Sequence, residues 1–310
     1  ELKTDKPYIL VKDTTLFLGD LARYYKKKFD KLIAIAVTGS CGKTTTKDMI
    51  YTVLKTKYNV VTNIGSFNNH IGVPLTIFKL DNKSQILLSE VGMNHFGELD
   101  YLGSIVQPDI ACITNVEPVH LEGLKTLENI AKAKFEIIEH LPMNGVAFIN
   151  GDNEYILKES KNYPVEFIKY GFSKNVDFTF KEVSNKNSFY TARYKNQKIS
   201  LPIPGFHNVY NLLITCALAE CFKINAQTIK KAIESFEPTG RRMKIVEHKG
   251  LKIIDDCYNA NPTATANALK ILSDLEVKGR RIFVFGDMKE LGKDAKKYHE
   301  YIGAEALKNN

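Results

Sequence analysis

The feature that most constrains the fold of this chain is a glycine-rich loop between a short apolar run and an amphipathic helical pattern. The apolar run covers residues 32–37, and the loop reads Gly-Ser-Cys-Gly-Lys-Thr-Thr from Gly39 to Thr45. Backbone N–H groups of such a loop, with the first turn of the next helix, present a concave set of donors to phosphate oxygens. Lys43 is expected to neutralise phosphate charge, and the Thr44 hydroxyl is a candidate Mg²⁺ ligand. The loop therefore predicts a nucleotide site, although its spacing is two residues shorter than the usual motif.

Short apolar runs alternate with amphipathic stretches from Lys31 onward, and each run is followed by polar residues or glycine. The runs cover residues 32–37, 85–91, 109–114 and 146–149. This alternation is typical of a parallel sheet covered by helices on both faces. Ligands of such sheets bind beyond the carboxyl ends of the strands. Glu90, at the end of the second run, is therefore expected beside the phosphate loop, where a carboxylate suits Mg²⁺.

The pattern changes in the second half of the chain. Tyr- and Phe-rich alternating segments over residues 163–204 predict an antiparallel β insertion, and Glu-Pro-Thr-Gly-Arg-Arg-Met at 237–243 predicts a hinge. The other predicted elements are helices at 208–223, 226–236, 263–274 and 294–308, and strands at 251–255 and 281–285. The fold class is thus α/β: a central P-loop-type parallel-sheet domain that binds a nucleotide and carries an antiparallel β insertion, followed by a partial Rossmann-like domain.

Composition excludes several classes of protein. The 310 residues include 43 Lys and Arg against 35 Asp and Glu, and 44% are hydrophobic, which excludes a disordered chain. Five cysteines without a Cys-x-x-Cys pair suggest reduced thiols, with neither a disulfide framework nor a zinc site. No run approaches the roughly 20 apolar residues that span a bilayer. We expect a cytoplasmic protein that binds no nucleic acid and does not insert stably into membranes.

Two further residues carry no clear role when taken alone. His120 follows the third strand, where it is either a metal ligand or a capping polar residue. Lys134 lies on an amphipathic helix, and a lysine there is by default a solvated cation.

Nine segments, in collinear order, resemble the Mur ligases, a family of ATP-dependent enzymes that form amide bonds in peptidoglycan precursor synthesis. The resemblance runs from about residue 6 to the end of the chain. The segments are residues 38–45, 68–74, 90–98, 120–123, 131–134, 204–211, 240–243, 255–262 and 286–292.

The resemblance implies a role for individual residues. The catalytic residues would be Lys43, Glu90, His120 and Lys134. The ATP site would include Gly39, Ser40, Cys41, Gly42, Lys43, Thr44, Thr45, Asn208, Asn211, Arg242 and Asp256. The muramyl-peptide side of the cleft would include Asn68, Asn69, Asn94 and His95. Two Mg²⁺ ions are implied, with Thr44 and Glu90 serving the first, and with His120 and a carbamylated Lys134 serving the second.

The resemblance also implies a reaction. ATP would convert the carboxylate of UDP-N-acetylmuramoyl-tripeptide to an acyl phosphate, which the amine of D-Ala-D-Ala would attack; the enzyme is expected to be a monomer. Segments 68–74 and 286–292 favour this acceptor over that of another Mur ligase or a folylpolyglutamate synthase. A non-catalytic nucleotide-binding module is a further alternative, but the four catalytic positions are all filled.

The sequence departs from the family pattern at three places. Cys41 occupies a variable position of the phosphate loop, where it is either a reactive thiol of lowered pKa or an incidental small residue. Ser66 stands where many relatives have Asn. The third departure is in the domains, of which the first and the last are expected to be incomplete: 1–31, the remnant of a UDP-sugar-binding domain; 32–239, the central ATP-binding domain; and 240–310, part of a carboxyl-terminal ligase domain.

Overall fold

The centre of the structure, a computed structural model that describes residues 5–309, is a six-stranded parallel sheet. Its strands are β1 (Ile33–Thr38), β2 (Val60–Thr62), β3 (Ile86–Glu90), β4 (Ile110–Ile113), β5 (Val146–Asn150) and β6 (Glu166–Tyr170). They lie in the order β2-β3-β1-β4-β5-β6, so β1 is flanked by β3 and β4. The predicted parallel sheet is therefore confirmed, and the loop that follows β1 lies near its middle.

Helices cover both faces of this sheet because its strands are apolar on both sides. In β1, Ala34 and Ala36 face one core cluster, and Ile35 and Val37 face the other. The first cluster includes residues of α1 (Thr14–Lys26), α3 (Gly72–Ile77), α4 (Glu98–Val106), α5 (Leu121–Leu124), α6 (Leu127–Phe135) and α7 (Glu154–Ser160), together with Leu269 and Ile302 from later helices. The helices of the second cluster are α2 (Lys43–Leu54), α8 (His207–Cys221) and α9 (Ala226–Glu234).

An antiparallel sheet of three strands follows β6, as the sequence predicts. Its strands are β7 (Val183–Lys186), β8 (Phe189–Tyr194) and β9 (Gln197–Ser200). The predicted start of the insertion at residue 163 is wrong, because β6 pairs in parallel with β5 and extends the main sheet. This pairing satisfies the backbone groups at the edge of β5, and the hydroxyl of Tyr170 donates to Ile113 O at 3.2 Å.

The last part of the described chain contains two helices and a hairpin. The hairpin pairs β10 (Lys244–His248) with β11 (Leu251–Asp255), and the helices are α10 (Pro262–Asp274) and α11 (Ala295–Lys308). The strand predicted at 281–285 is wrong: within residues 5–309 no strand pairs with it, and Val284 is 91% exposed. An apolar run becomes a strand only where a neighbour accepts and donates its ladder hydrogen bonds.

All five cysteines are free thiols. No helix between residues 5 and 309 is long and apolar enough to cross a membrane.

Candidate active site

The glycine-rich loop lies at the carboxyl end of β1 and leads directly into α2. Gly39 has φ +145° and Gly42 has φ +77°, a region that L-residues with a Cβ rarely adopt. A Cβ at Gly39 would also lie 1.8 Å from the hydroxyl of Thr114. Lys43 Nζ donates to Gly39 O at 2.8 Å and to Ser40 O at 3.1 Å, so the ammonium lies across the loop. Burial lowers the pKa of Lys43, and the charge of Glu90 opposes that shift.

The residues after β4 hold the loop in place. Asn115 Oδ1 accepts from Cys41 N at 2.8 Å, and Asn115 O accepts from Ser40 N at 3.0 Å. Glu117 N donates to Ser40 Oγ at 2.9 Å. Asn115 and Glu117 are not among the predicted site residues, although both follow a strand at the edge of the sheet where a site is expected.

Glu90 is buried beside the loop because β3 is the neighbour of β1 and Val37 is its register partner. Its carboxylate accepts from Thr44 Oγ1 at 2.7 Å and from Asn68 Nδ2 at 2.7 Å. The structure therefore brings together a hydroxyl and a carboxylate at the amino end of α2, and both are hard oxygen ligands.

Asn63, which follows β2, fixes the backbone of Glu90. Its side chain donates to Glu90 O at 2.9 Å and accepts from Glu90 N at 2.9 Å, and it also donates to Phe67 O at 2.9 Å. The buried Lys47 donates to Asn63 O at 2.8 Å. Asn63 is not among the residues predicted from the sequence. Its position directly after β2, the strand next to β3, could have indicated it.

Lys134 lies on α6 with a side chain that is almost fully buried. Within the described part of the chain its ammonium has no hydrogen bond or ion pair. Burial lowers the pKa of Lys134 well below its usual value, and the positive charge of Lys43 lowers it further. A buried lysine without a partner carries a large penalty in its charged form, so the neutral amine is favoured.

His120 precedes α5 with φ +54°. Its Nδ1 contacts the carboxylate of Glu290, which comes from the carboxyl-terminal part of the chain. Burial lowers the pKa of His120, and the charges of Lys134 and Lys43 lower it further. A neutral ring that donates from Nδ1 leaves the lone pair of Nε2 free to ligate a metal.

Two asparagines of α8 lie beside the loop. Asn211 Oδ1 accepts from Thr46 Oγ1 at 3.0 Å, and Asn211 Nδ2 donates to Asn208 Oδ1 at 2.9 Å. The side chain of Asn211 also contacts the loop: a Cβ at Gly42 would lie 2.9 Å from its Oδ1. The pair therefore belongs to the same cavity wall as the loop.

The other wall comes from residues that follow Gly240. The guanidinium of Arg242 lies over the ring of Tyr258 at 3.8 Å, and the Tyr258 hydroxyl contacts the hydroxyl of Ser66. Asp256 accepts from Met243 N at 3.0 Å. Burial raises the pKa of Asp256.

A cavity of about 720 Å³ lies between these walls. Most of the predicted site residues line it: Ser40, Cys41, Gly42, Lys43, Thr44, Thr45, Asn68, Asn69, Glu90, Asn94, His120, Asn208, Asn211, Arg242 and Asp256. Gly39, His95 and Lys134 do not. The ring of His95 is 68% exposed and lies 3.5 Å from the carboxylate of Glu98.

Asn69 and Cys41, two of the predicted site residues, have other hydrogen-bond partners in the structure. Asn69 Oδ1 accepts from Gly72 N at 2.9 Å at the start of α3, so this side chain stabilises the helix end. Burial raises the pKa of Cys41, and Asn261 Nδ2 donates to its sulfur at 3.3 Å. The hypothesis of a thiol with lowered pKa is therefore wrong, because burial outweighs the positive charge of Lys43.

The donors near the loop fit Mg²⁺. The described residues contain no cluster of three His, Cys, Asp or Glu side chains arranged around a common point. Mg²⁺ commonly takes only one or two carboxylates and completes its shell with water and substrate phosphates. Thr44 and Glu90, beside a phosphate-binding loop, supply a donor set of this kind.

Comparison with known proteins identifies the family. The Mur ligase middle domain matches residues 37–219. The chain belongs to the Mur ligase family. The Mur ligase glutamate ligase domain matches residues 241–309, so two Mur ligase domains follow one another along the chain.

Individual Mur ligases are similar over almost the whole chain. The UDP-N-acetylmuramoyl-tripeptide–D-alanyl-D-alanine ligase of Bacillus subtilis is 38% identical over 299 residues, which is 96% of this chain and 65% of that protein. The chain thus spans about two thirds of the length of such relatives.

Solved Mur ligase structures have the same fold. A crystal structure of MurF from Acinetobacter baumannii has a TM-score of 0.92 and 30% identity, with 99% of this chain and 68% of that chain covered. MurF from Thermotoga maritima, solved in complex with ADP, has a TM-score of 0.83 and 26% identity, with 98% and 71% covered.

Proposed function

We propose that the full-length gene product containing this chain is an ATP-dependent ligase that adds D-Ala-D-Ala to UDP-N-acetylmuramoyl-tripeptide. The observation that carries the proposal is the pairing of Thr44 with Glu90 at the phosphate loop, in a cavity that both Mur ligase domains line. The relatives with 34–38% identity that bear this name support the choice of substrates.

The reaction forms an amide from a carboxylate, which is a poor acyl donor. A carboxylate oxygen of the peptide attacks the γ-phosphorus of ATP, the bond to the β-phosphate oxygen breaks, and ADP leaves. The amine of D-Ala-D-Ala then attacks the acyl phosphate, loses a proton and displaces inorganic phosphate. Mg²⁺, when bound, offsets the negative charge that otherwise keeps carboxylate and triphosphate apart.

The residues of this chain hold and orient the reactants. Lys43 and the N–H groups of the loop bind the β- and γ-phosphates, and Thr44 with Glu90 would hold Mg²⁺. Arg242 adds positive charge from the other wall, and Asn208 and Asn211 contact the nucleotide. Positioning of this kind supplies much of the rate when two anions must meet.

We propose that Lys134 is carbamylated, as in the family. The neutral amine attacks the carbon of CO₂, and loss of one proton leaves a carbamate anion in place of a cation. The burial of Lys134 supports this step, because it favours the neutral amine that reacts. His120 and the carbamate would then serve the second Mg²⁺.

We also propose the domain limits of 1–31, 32–239 and 240–310, a monomeric state and the cytoplasm as the compartment, where ATP is available. Residues 1–4 and 310 lie outside the described residues. The described contacts between Arg242, Tyr258 and Ser66 support a hinge near residue 240 that closes one domain on the other.

Omission of single substrates tests the function. Phosphate release by the full-length gene product is measured with ATP, Mg²⁺, UDP-N-acetylmuramoyl-tripeptide and D-Ala-D-Ala, and then with each left out. We expect release only with the complete mixture. Equal release with another amino acid, or with glutamate and a folate, would reassign the acceptor; no release with any mixture would favour a nucleotide-binding module.

A further inference from the structure

Glu290 reaches from the carboxyl-terminal domain to the central domain and makes two contacts there. Its carboxylate contacts Nδ1 of His120, and its carbonyl oxygen accepts from Glu122 N at 3.1 Å. A Cβ at the nearby Gly292 would lie 3.2 Å from the Cα of Glu122. The two segments are therefore in close backbone contact next to His120.

The loop that carries Glu290 is anchored on both sides of this residue. Met288 and Leu291 are 3% and 2% exposed and belong to the first core cluster, the one that contains Ala34 and Ala36 of β1. Glu290 itself has φ +65°, a conformation that is uncommon for residues other than glycine. The carboxylate is half-exposed, so it could be solvated, yet it is directed to a histidine with 16% exposure. A backbone held in this conformation by buried neighbours points to a position that matters for the contact it makes.

We propose that Glu290 is a positioning residue that fixes the tautomer and the orientation of the His120 ring. With the proton held on Nδ1 by the carboxylate, Nε2 keeps its lone pair for the cavity. Because the carboxylate belongs to the other domain, this arrangement exists only when the two domains are closed on each other. Domain closure therefore completes the cavity chemically as well as sterically.

The proposal rests on the proposed function only for the use that His120 makes of Nε2. The tautomer itself is a property of the chain without metal, nucleotide or turnover. A measurement of the tautomer therefore separates failure of this proposal from failure of the proposed reaction.

The first experiment measures the tautomer by NMR. Long-range ¹H–¹⁵N spectra of histidine-labelled protein at pH 8.5, without metal or nucleotide, report which ring nitrogen carries the proton, and His120→Gln assigns the signal by its loss. We expect the proton on Nδ1 in the wild type and in Glu290→Gln, whose amide oxygen still accepts. In Glu290→Ala the population should move to the Nε2–H form. An Nε2–H or doubly protonated ring in the wild type, or an unchanged ring in Glu290→Ala, overturns the proposal.

The second experiment measures the Mg²⁺ dependence of phosphate release by the full-length gene product. Loss of a residue that orients a metal ligand typically weakens metal binding about 10- to 100-fold, so the apparent KM for Mg²⁺ should rise by that factor in Glu290→Ala. Glu290→Gln should recover most of the loss. The matched control is Glu300→Gln, which changes a carboxylate of the same domain that is 67% exposed, and it should behave as the wild type.

A merely structural role for Glu290 gives a different result. General loosening of the domain contact would raise the KM values for ATP and for Mg²⁺ together and would not respond to the Gln variant. Equal Mg²⁺ dependence in Glu290→Ala and the wild type, or a parallel rise in both KM values without rescue, would refute the positioning role.

Discussion

Replacement of Asn63 by Ala should destabilise the central sheet and displace the Glu90 carboxylate. The side chain is fully buried and makes three hydrogen bonds of 2.9 Å, two with the backbone of Glu90 and one with Phe67 O. At about 1 kcal/mol net for each bond, the free energy of unfolding should fall by about 3 kcal/mol. For a unit of 150–250 residues this is a fall of about 6–12 °C in Tm.

Urea denaturation of the wild type and the variant measures this change in the free energy of unfolding. The control is Asn196→Ala in the exposed turn after β8, which should stay within about 0.5 kcal/mol of the wild type. Asn63→Asp keeps the volume but turns the amide donor into an oxygen that faces two carbonyl oxygens, so it should destabilise at least as much as Ala. A loss below about 1 kcal/mol for Asn63→Ala, or a stable Asp variant, would refute the hydrogen-bond argument.

Three further predictions concern two residues of the site and the pH dependence of stability. Lys43→Ala in the full-length gene product should abolish phosphate release, since the loop loses its cation; retained turnover would contradict the proposed function. Lys134→Ala should reduce turnover far more than Lys296→Ala, which removes an 89% exposed ammonium; equal losses would count against the carbamate. Burial lowers the pKa of His207 to about 4. The unfolded chain therefore binds a proton near pH 6.5, whereas the folded chain binds it only near pH 4. The free energy of unfolding should therefore fall as the pH drops from 6.5 towards 4, and a His207→Gln variant that keeps the same slope in urea titrations would contradict this.

Four strands of the central sheet, β1, β3, β4 and β5, were predicted from the sequence because their signals are local. Each buried strand is a short apolar run with a polar residue at its carboxyl end, and the loop at Gly42 follows the first run. Parallel order then brings strand ends together without further information, which is why Glu90 could be expected beside Thr44. The register of β1 with β3 confirms their proximity.

Other parts of the structure depend on pairing partners that local sequence does not reveal. β6 has the Tyr- and Phe-rich composition of the antiparallel insertion, but it pairs in parallel with the free edge of β5. The run at 281–285 has strand composition without a partner between residues 5 and 309. Asn63 and Asn115 were missed for a related reason: each acts on the backbone of a residue far along the chain, and an asparagine after a strand is otherwise typical of a turn.

The two walls of the cavity are held by different kinds of contact. The wall that carries the phosphate loop is fixed by buried hydrogen bonds such as that from Thr44 to Glu90, which keep the phosphate-binding groups in place. The wall from the carboxyl-terminal part of the chain makes partly exposed polar contacts, Tyr258 with Ser66 and Glu290 with His120, and it also buries Met288 and Leu291 in the first core cluster. Exposed polar pairs contribute only about 0–1 kcal/mol each, so the buried apolar side chains hold this wall more than the polar pairs do. We expect a nucleotide that contacts both walls to stabilise this arrangement further, because it binds the closed form more tightly. The carboxylate and the amine would thus meet the nucleotide in a site that both walls have already formed.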